Sequence, residues 1–142
     1  MTITLLSLIL LHLALPLPEE YAGTEIIIDN IDLSLGGNIK IQVFNELAVT
    51  SDRMVPILEK TIAANGDKSP ITLAQLSTGK YMIAIMHDCN GNGKMDYSFF
   101  GVPKEGYAFS GQFSCGLKSA GPKFHMIKLN EGLQQVRMHL CY

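Results

Sequence analysis

Residues 81–87 read Tyr81-Met82-Ile83-Ala84-Ile85-Met86-His87, an unbroken apolar run ending on a histidine and passing directly into Asp88-Cys89-Asn90-Gly91-Asn92-Gly93-Lys94-Met95-Asp96. Tyr81, Ile83 and Ile85 fall on one side, and Met82, Ala84 and Met86 on the other. Both faces are therefore apolar, as a strand in the middle of a sheet requires. Outward from this run the pattern becomes strict alternation. Over 38–44, Ile39, Ile41 and Val43 share one face while Lys40 and Gln42 take the other, which predicts a half-buried strand. Val136, Met138, Leu140 and Tyr142 alternate with Arg137, His139 and Cys141, so 136–142 is predicted to be a strand docked in a sheet. Further strand candidates are 24–29, 59–63, 71–76 and 124–129, separated by turn residues such as Gly36-Gly37, Asn65-Gly66 and Asn130-Glu131-Gly132. Residues 54–60 fit neither period, and Pro56 interrupts any helix or central strand there. Turns at this density predict an all-β fold, an antiparallel Greek-key sandwich of about seven strands. One long loop region is expected from Cys89 to about Lys123. A connection of that length in a small domain normally serves a function or holds small elements of its own.

The chain has 142 residues, a length that suits one core. Residues 23–142 are read as a single domain and 1–22 as a signal peptide or N-terminal apolar segment. With 47% apolar and 17% charged residues the chain is not of the disordered class. A net charge of -2 leaves no basic footprint for phosphates, which excludes nucleic acid as a partner. Residues 1–17, MTITLLSLILLHLALPL, carry no charge and stop at Pro16 and Pro18, short of the ~20 residues of a membrane span. They read as a secretory h-region, although no Lys or Arg precedes them and no small-x-small cleavage pattern follows. A buried N-terminal helix or an uncleaved anchor is the other reading. Export predicts a periplasmic or secreted protein with no membrane span after processing. Cys89, Cys115 and Cys141 then allow one disulfide and one leftover thiol, the pairing being open.

The segment after the central strand carries the distinctive chemistry. Asp88, Asn90, Asn92, Gly93, Lys94 and Asp96 match positions 1, 3, 5, 6, 7 and 9 of a calcium loop. A hard cation needs several oxygens within roughly 2.3–2.6 Å, so short oxygen-bearing side chains must converge while a glycine turns the chain around the ion. Lys94 would add only its backbone carbonyl. Position 12 is Phe99 rather than a bidentate Glu, and a strand precedes the loop, so this is not an EF-hand. Asp88 and Asp96 are its only carboxylates. Affinity is therefore expected in the weak extracellular range, on the order of 10⁻⁴–10⁻³ M, unless Glu105 completes the shell. The same residues also suit a metal-free turn, because Asn-Gly pairs favour hairpins and Asp or Asn side chains cap their own turns.

His87, Asp88 and Glu105 admit a second reading, a metal-dependent hydrolase with an open site at the strand end. A lone His at a strand end is more often packed and hydrogen-bonded, and His125 and His139 fall in other strands without HxH or HExxH spacing. No nucleophile elbow, phosphate loop or dinucleotide fingerprint is present. Ser110, Ser114 and Ser119 lack a partner base. Tyr107, Phe109 and Phe113 suit either a ligand surface or the cover of an open sheet edge.

Residues 76–111 closely resemble the bacterial domain of unknown function 2141 family. The resemblance rests on Gly79 and Tyr81, the run from His87 through Gly93, Asp96, Gly101-Val102-Pro103-Lys104-Glu105, and Phe109-Ser110. Ala108 stands where a glycine is expected. The resemblance implies an exported β-sandwich, similar to transthyretin-like, Ig-like or carboxypeptidase-regulatory-like domains, and implies no activity. A fold alone assigns no function. The sequence therefore predicts a non-enzymatic binding or structural module of the envelope or the exterior. Asp88, Asn90, Asn92, Lys94 and Asp96 would hold calcium, with no other cofactor, and the partner would be an envelope or extracellular protein. The alternatives are the hydrolase and a metal-free interaction domain.

Overall fold

Alternation along the strands decides which side chains enter the core. The computed structural model describes residues 21–66, 70–73, 76–116 and 121–142, without the side chains of residues 21 and 22. The apolar segment 1–17, residues 74–75 inside the expected strand 71–76, and Ser119 lie outside the described residues. The strands are β1 (Tyr21–Asp29), β2 (Asn38–Asn45), β3 (Leu58–Ala63), β4 (Ile71–Thr72), β5 (Leu76–Ser77), β6 (Gly79–Asp88), β7 (Gly106–Phe109), β8 (Met126–Leu129) and β9 (Gly132–His139). One five-residue helix, α1 (Glu46–Thr50), follows β2, with the Asn45 side chain accepting the Ala48 N–H as its cap.

Two sheets face each other. In the first, β1 lies between β9 on one side and β4 with β5 on the other. The second runs β3-β2-β6, with β7 and β8 end to end along the far edge of β6. The nine segments thus occupy seven strand positions among the described residues, forming an all-β sandwich. Ile26 and Ile28 of β1 meet Ile39, Ile41 and Val43 of β2 and Tyr81, Ile83 and Ile85 of β6 in the space between the sheets, closed by Leu129, Met138 and Leu140. A smaller cluster of Phe44, Val49 and Met82 lies beneath α1 on the outer face of the second sheet, which explains why β6 is apolar on both sides.

The expectation of a wholly antiparallel sandwich is corrected at one pair. β1 and β9 run parallel over eight residues, from Ala22↔Gly132 to Asp29↔His139. No hairpin joins them. β9 enters from β8, in the opposite sheet, so its direction follows from that crossing rather than from a tight turn with β1. The last strand also sits earlier than the alternation suggests, ending at His139. Beyond it Cys141 exchanges backbone hydrogen bonds at 2.9 Å with Tyr107, stitching one sheet to the other. β7 falls inside the stretch read as strandless, because four residues are too few to display a period.

Gly37 is where the β1–β2 connection meets the end of β6. Its φ is +75°, and a Cβ there would run into the Asp88 carbonyl oxygen and stand 2.6 Å from the Cys89 Cα. Gly36 also has positive φ, yet a Cβ on it would meet nothing within 4 Å. Gly36→Ala is expected to cost about 1–2 kcal/mol of backbone strain. Gly37→Ala, which adds a backbone clash, should cost at least about 3 kcal/mol. Urea denaturation of the two variants measures the difference, and equal losses would mean that the close approach carries no energy.

Candidate functional site

The site begins where the strand period separates two neighbours. His87 continues the inward face of Tyr81, Ile83 and Ile85, and Asp88 points the other way. His87 is fully buried. Its Nε2 stands 2.7 Å from the Gly36 carbonyl oxygen and its Nδ1 2.7 Å from the Tyr142 hydroxyl. A carbonyl only accepts, so Nε2 carries a proton and donates to Gly36, and Nδ1 and the tyrosine hydroxyl share the second bond. The Tyr142 oxygen in turn accepts the Asp32 N–H at 3.0 Å. Both ring nitrogens are engaged and the ring has no exposed surface, so it has no atom to offer a substrate. Of the three residues of the hydrolase reading, His87 thus binds Gly36 and Tyr142, while Asp88 and Glu105 accept backbone N–H groups of the loop.

Asp88 is buried, and its carboxylate is held by the chain it precedes. Oδ1 accepts the Asn92 N–H at 3.0 Å and Oδ2 the Gly93 N–H at 2.8 Å. Asn90 Oδ1 also accepts from Asn92 N–H, at 3.0 Å, and Asn92 Oδ1 from Lys94 N–H, at 2.7 Å. The two amides then turn their Nδ2 atoms onto one oxygen, Asp96 Oδ2, at 2.6 and 2.9 Å. Asn90, Asn92 and Asp96 are thus brought together directly, and Asp88 reaches them through the backbone of residues 92 and 93. Lys94 contributes its N–H to this weave, and its side chain is exposed.

Glu105 closes the neck of the loop. The residue is buried, with Oε1 accepting the Cys89 N–H at 3.0 Å and Oε2 the Asp96 N–H at 3.2 Å. One carboxylate therefore ties the first residue after β6 to the end of the Asp88–Asp96 turn, and Lys104 N–H adds a 2.8 Å bond to the Asp96 carbonyl. A polar depression of about 460 Å³ opens beside this neck, lined by Cys89, Asn90, Asp96, Tyr97, Lys104 and Glu105. Across the loop lies an uncharged cleft of about 400 Å³ between Gln42 and Met86 of the sheet and Met95, Tyr97 and Pro103. Among the described residues, no group of three or more His, Cys, Asp or Glu side chains is placed to hold a metal.

Sequence reasoning missed Gly36 and Tyr142 as partners of His87, since each lies more than 50 residues away in the chain, and Asp32 as the partner of Tyr142. It named Glu105 as a possible extra ligand and did not foresee it as a backbone clamp. Tyr107, Phe109 and Phe113 form an edge-to-face cluster with His125 stacked 4.9 Å from Phe109, and Tyr107 and Phe109 also line the uncharged cleft. The disulfide joins Cys115 to Cys141 and pins the long connection to the end of the sandwich, leaving Cys89 as the free thiol.

Burial pushes the Cys89 thiol above its ordinary pKa, and the charges of Glu105, Asp88 and Asp32 push the same way. At pH 8, iodoacetamide should therefore alkylate Cys89 several-fold more slowly in the folded chain than in urea. Equal rates would mean that the thiolate is not disfavoured. Burial also raises the Tyr142 phenol, reinforced by the Cys89 and Asp32 charges and opposed by the Asp32 N–H. A folded-state pKa above the unfolded one means the folded chain holds the proton longer. Its stabilising contribution is complete below about pH 10 and is lost as pH rises through the folded value. In a Cys89→Ser background, Tyr142→Phe should flatten the fall in stability above pH 10, while costing about 1 kcal/mol at neutral pH for the lost hydrogen bonds.

Residues 26–138, from β1 to β9, match one family model, described as an uncharacterized protein conserved in bacteria (DUF2141). No curated protein and no solved structure matches the chain. The matched span takes in both sheets, the Asp88–Asp96 turn and the Glu105 clamp, and the chain belongs to the bacterial DUF2141 family.

Proposed function

We propose that this chain is an exported binding module whose loop takes a calcium ion through Asp88, Asn90, Asn92 and Asp96, with the Lys94 carbonyl completing the turn. The observation that carries the reading is the convergence of two amide groups on a single carboxylate oxygen, at 2.6 and 2.9 Å. Neighbouring ligands in a pentagonal plane around an ion at about 2.4 Å stand about 2.8 Å apart. Rotating each amide presents its carbonyl oxygen where its nitrogen now lies, at the cost of the bonds those oxygens now accept from Asn92 N–H and Lys94 N–H, so a cation must replace these bonds as well as the two N–H donors. The Cys115–Cys141 disulfide supports a periplasmic or secreted setting, where such bonds persist and millimolar calcium is available.

A metal-free turn is favoured by one specific feature. Asp88 and Glu105 each place both carboxylate oxygens on backbone N–H groups, a complete use that needs no ion. Melting temperature separates the two readings. After EDTA, about 5 mM calcium should stabilise by about 1–2 kcal/mol, a rise of a few degrees, if dissociation lies in the expected range. Magnesium, which demands tighter octahedral geometry, should give less. The Asp88→Asn/Asp96→Asn double variant should lose the calcium-dependent rise, whatever its starting stability. Absence of any rise in the native chain leaves the loop as a structural turn and removes calcium from the proposal.

A further inference from the structure

The connection from β6 to β7 ends in a turn that carries two phenyl rings into solvent. Phe99 is 97% exposed and Phe100 87%, with Tyr97 and Val102 exposed below them. The rings meet edge to face with centroids 5.5 Å apart. The turn under them is firmly built. Gly101 N–H donates to the Ser98 carbonyl at 2.9 Å, Ser98 N–H to the Val102 carbonyl at 2.8 Å, and Val102 N–H to Ser98 Oγ at 3.1 Å. On the two arms leading to it, Lys94 and Lys104 are exposed. Scattered apolar residues on a surface need no explanation, but two adjacent phenyl rings on a stiff tip, outside both core clusters, do.

We propose that this tip inserts into the interfacial layer of an anionic lipid bilayer. Phe99 and Phe100 enter the acyl boundary, Tyr97 lies at the headgroup level, and Lys94 and Lys104 meet lipid phosphates. The succession of apolar end, phenol and cations is that of an interfacial anchor. Area argues against a protein partner, a second copy included. Two rings offer roughly 300–500 Å², below the ~800 Å² per side of a stable protein interface, whereas a bilayer accepts a wedge without a complementary socket. The hydrogen bonds of the turn fix the backbone under the rings in advance, so little backbone entropy is lost on insertion. Two rings bury less apolar surface than one acyl chain, so the contact is reversible. The inference is independent of calcium and holds with the loop empty.

The chain has no tryptophan, so Phe100→Trp in the full chain installs a single indole reporter at the tip. In EDTA, vesicles of phosphatidylcholine with about one third phosphatidylserine should shift its emission to the blue and allow quenching by brominated acyl chains. Pure phosphatidylcholine or high salt should weaken the shift, because the lysine contribution is screened. Phe99→Ser in the reporter chain should reduce apparent affinity about tenfold or more, and Lys94→Glu with Lys104→Glu should remove the preference for anionic lipid. Circular dichroism checks that these exposed-turn variants keep the fold. Vesicle binding with unchanged indole emission would overturn the proposal, placing the contact elsewhere on the chain. A blue shift that tracks protein concentration without lipid would equally overturn it, in favour of a second copy.

Discussion

The period of two along β6, at the point where the strand leaves the sheet, determines most of what surrounds it. The strand is hydrogen-bonded along both edges, by β2 on one side and by β7 and β8 on the other, so its backbone has no freedom to slip. Its last two residues are both polar and must face opposite ways. His87 enters the space between the sheets, where a buried polar ring is costly unless both nitrogens find partners. The Gly36 carbonyl and the Tyr142 hydroxyl supply them from two distant parts of the chain. Asp88 turns outward into the loop, where backbone N–H groups supply its partners. One residue of register shift would exchange these two environments and leave a carboxylate in the core.

Two buried carboxylates then shape the loop with no lysine or arginine paired to either among the described salt bridges. Asp88 and Glu105 each accept two backbone N–H bonds, and charge-assisted bonds of this kind are stronger than neutral ones. Asp88 fixes the inside of the turn, and Glu105 fixes its neck. Their combined negative field is felt by Cys89, whose thiol is held protonated by burial and by those same charges. The cysteine nearest the loop is for that reason a poor nucleophile.

The fold was largely legible because the central strand and its neighbour announce themselves by period. Ile39, Ile41 and Val43 pair in register with His87, Ile85 and Ile83 respectively, as their alternation suggests. What was not legible has short length or long range as its cause. β7 is four residues, and β4 and β5 are two each, below the length at which a period can be counted. The parallel β1–β9 pair depends on a crossing between sheets, which local sequence does not encode. The loop was found at once, because its spacing of Asp and Asn is local. The clamp from Glu105 and the partners of His87 were not, because they are contacts between residues 9 to 55 positions apart. Gly37 had been read as part of a turn, and only the packing of that turn against Asp88 and Cys89 shows why a side chain is excluded there.

Loop and tip are mechanically one unit, and this bears on how any ligand would act. From Cys89 to Glu105 the connection is tied to itself by the Asp96 carboxylate, by the Lys104-to-Asp96 backbone bond and by Glu105, before it rejoins the sheet at Gly106. It is anchored below by Gly37 and farther along by the Cys115–Cys141 disulfide. A cation at Asp96 would exchange amide donors for metal bonds inside this unit, and nothing in its path reaches the core between the sheets. Its effect would fall on the orientation and stiffness of the arms that carry Phe99 and Phe100, whose turn begins two residues after Asp96. The sandwich built on β6 thereby holds both ends of this connection, through the Cys89 N–H bond to Glu105 at one end and the β6–β7 pairing at the other.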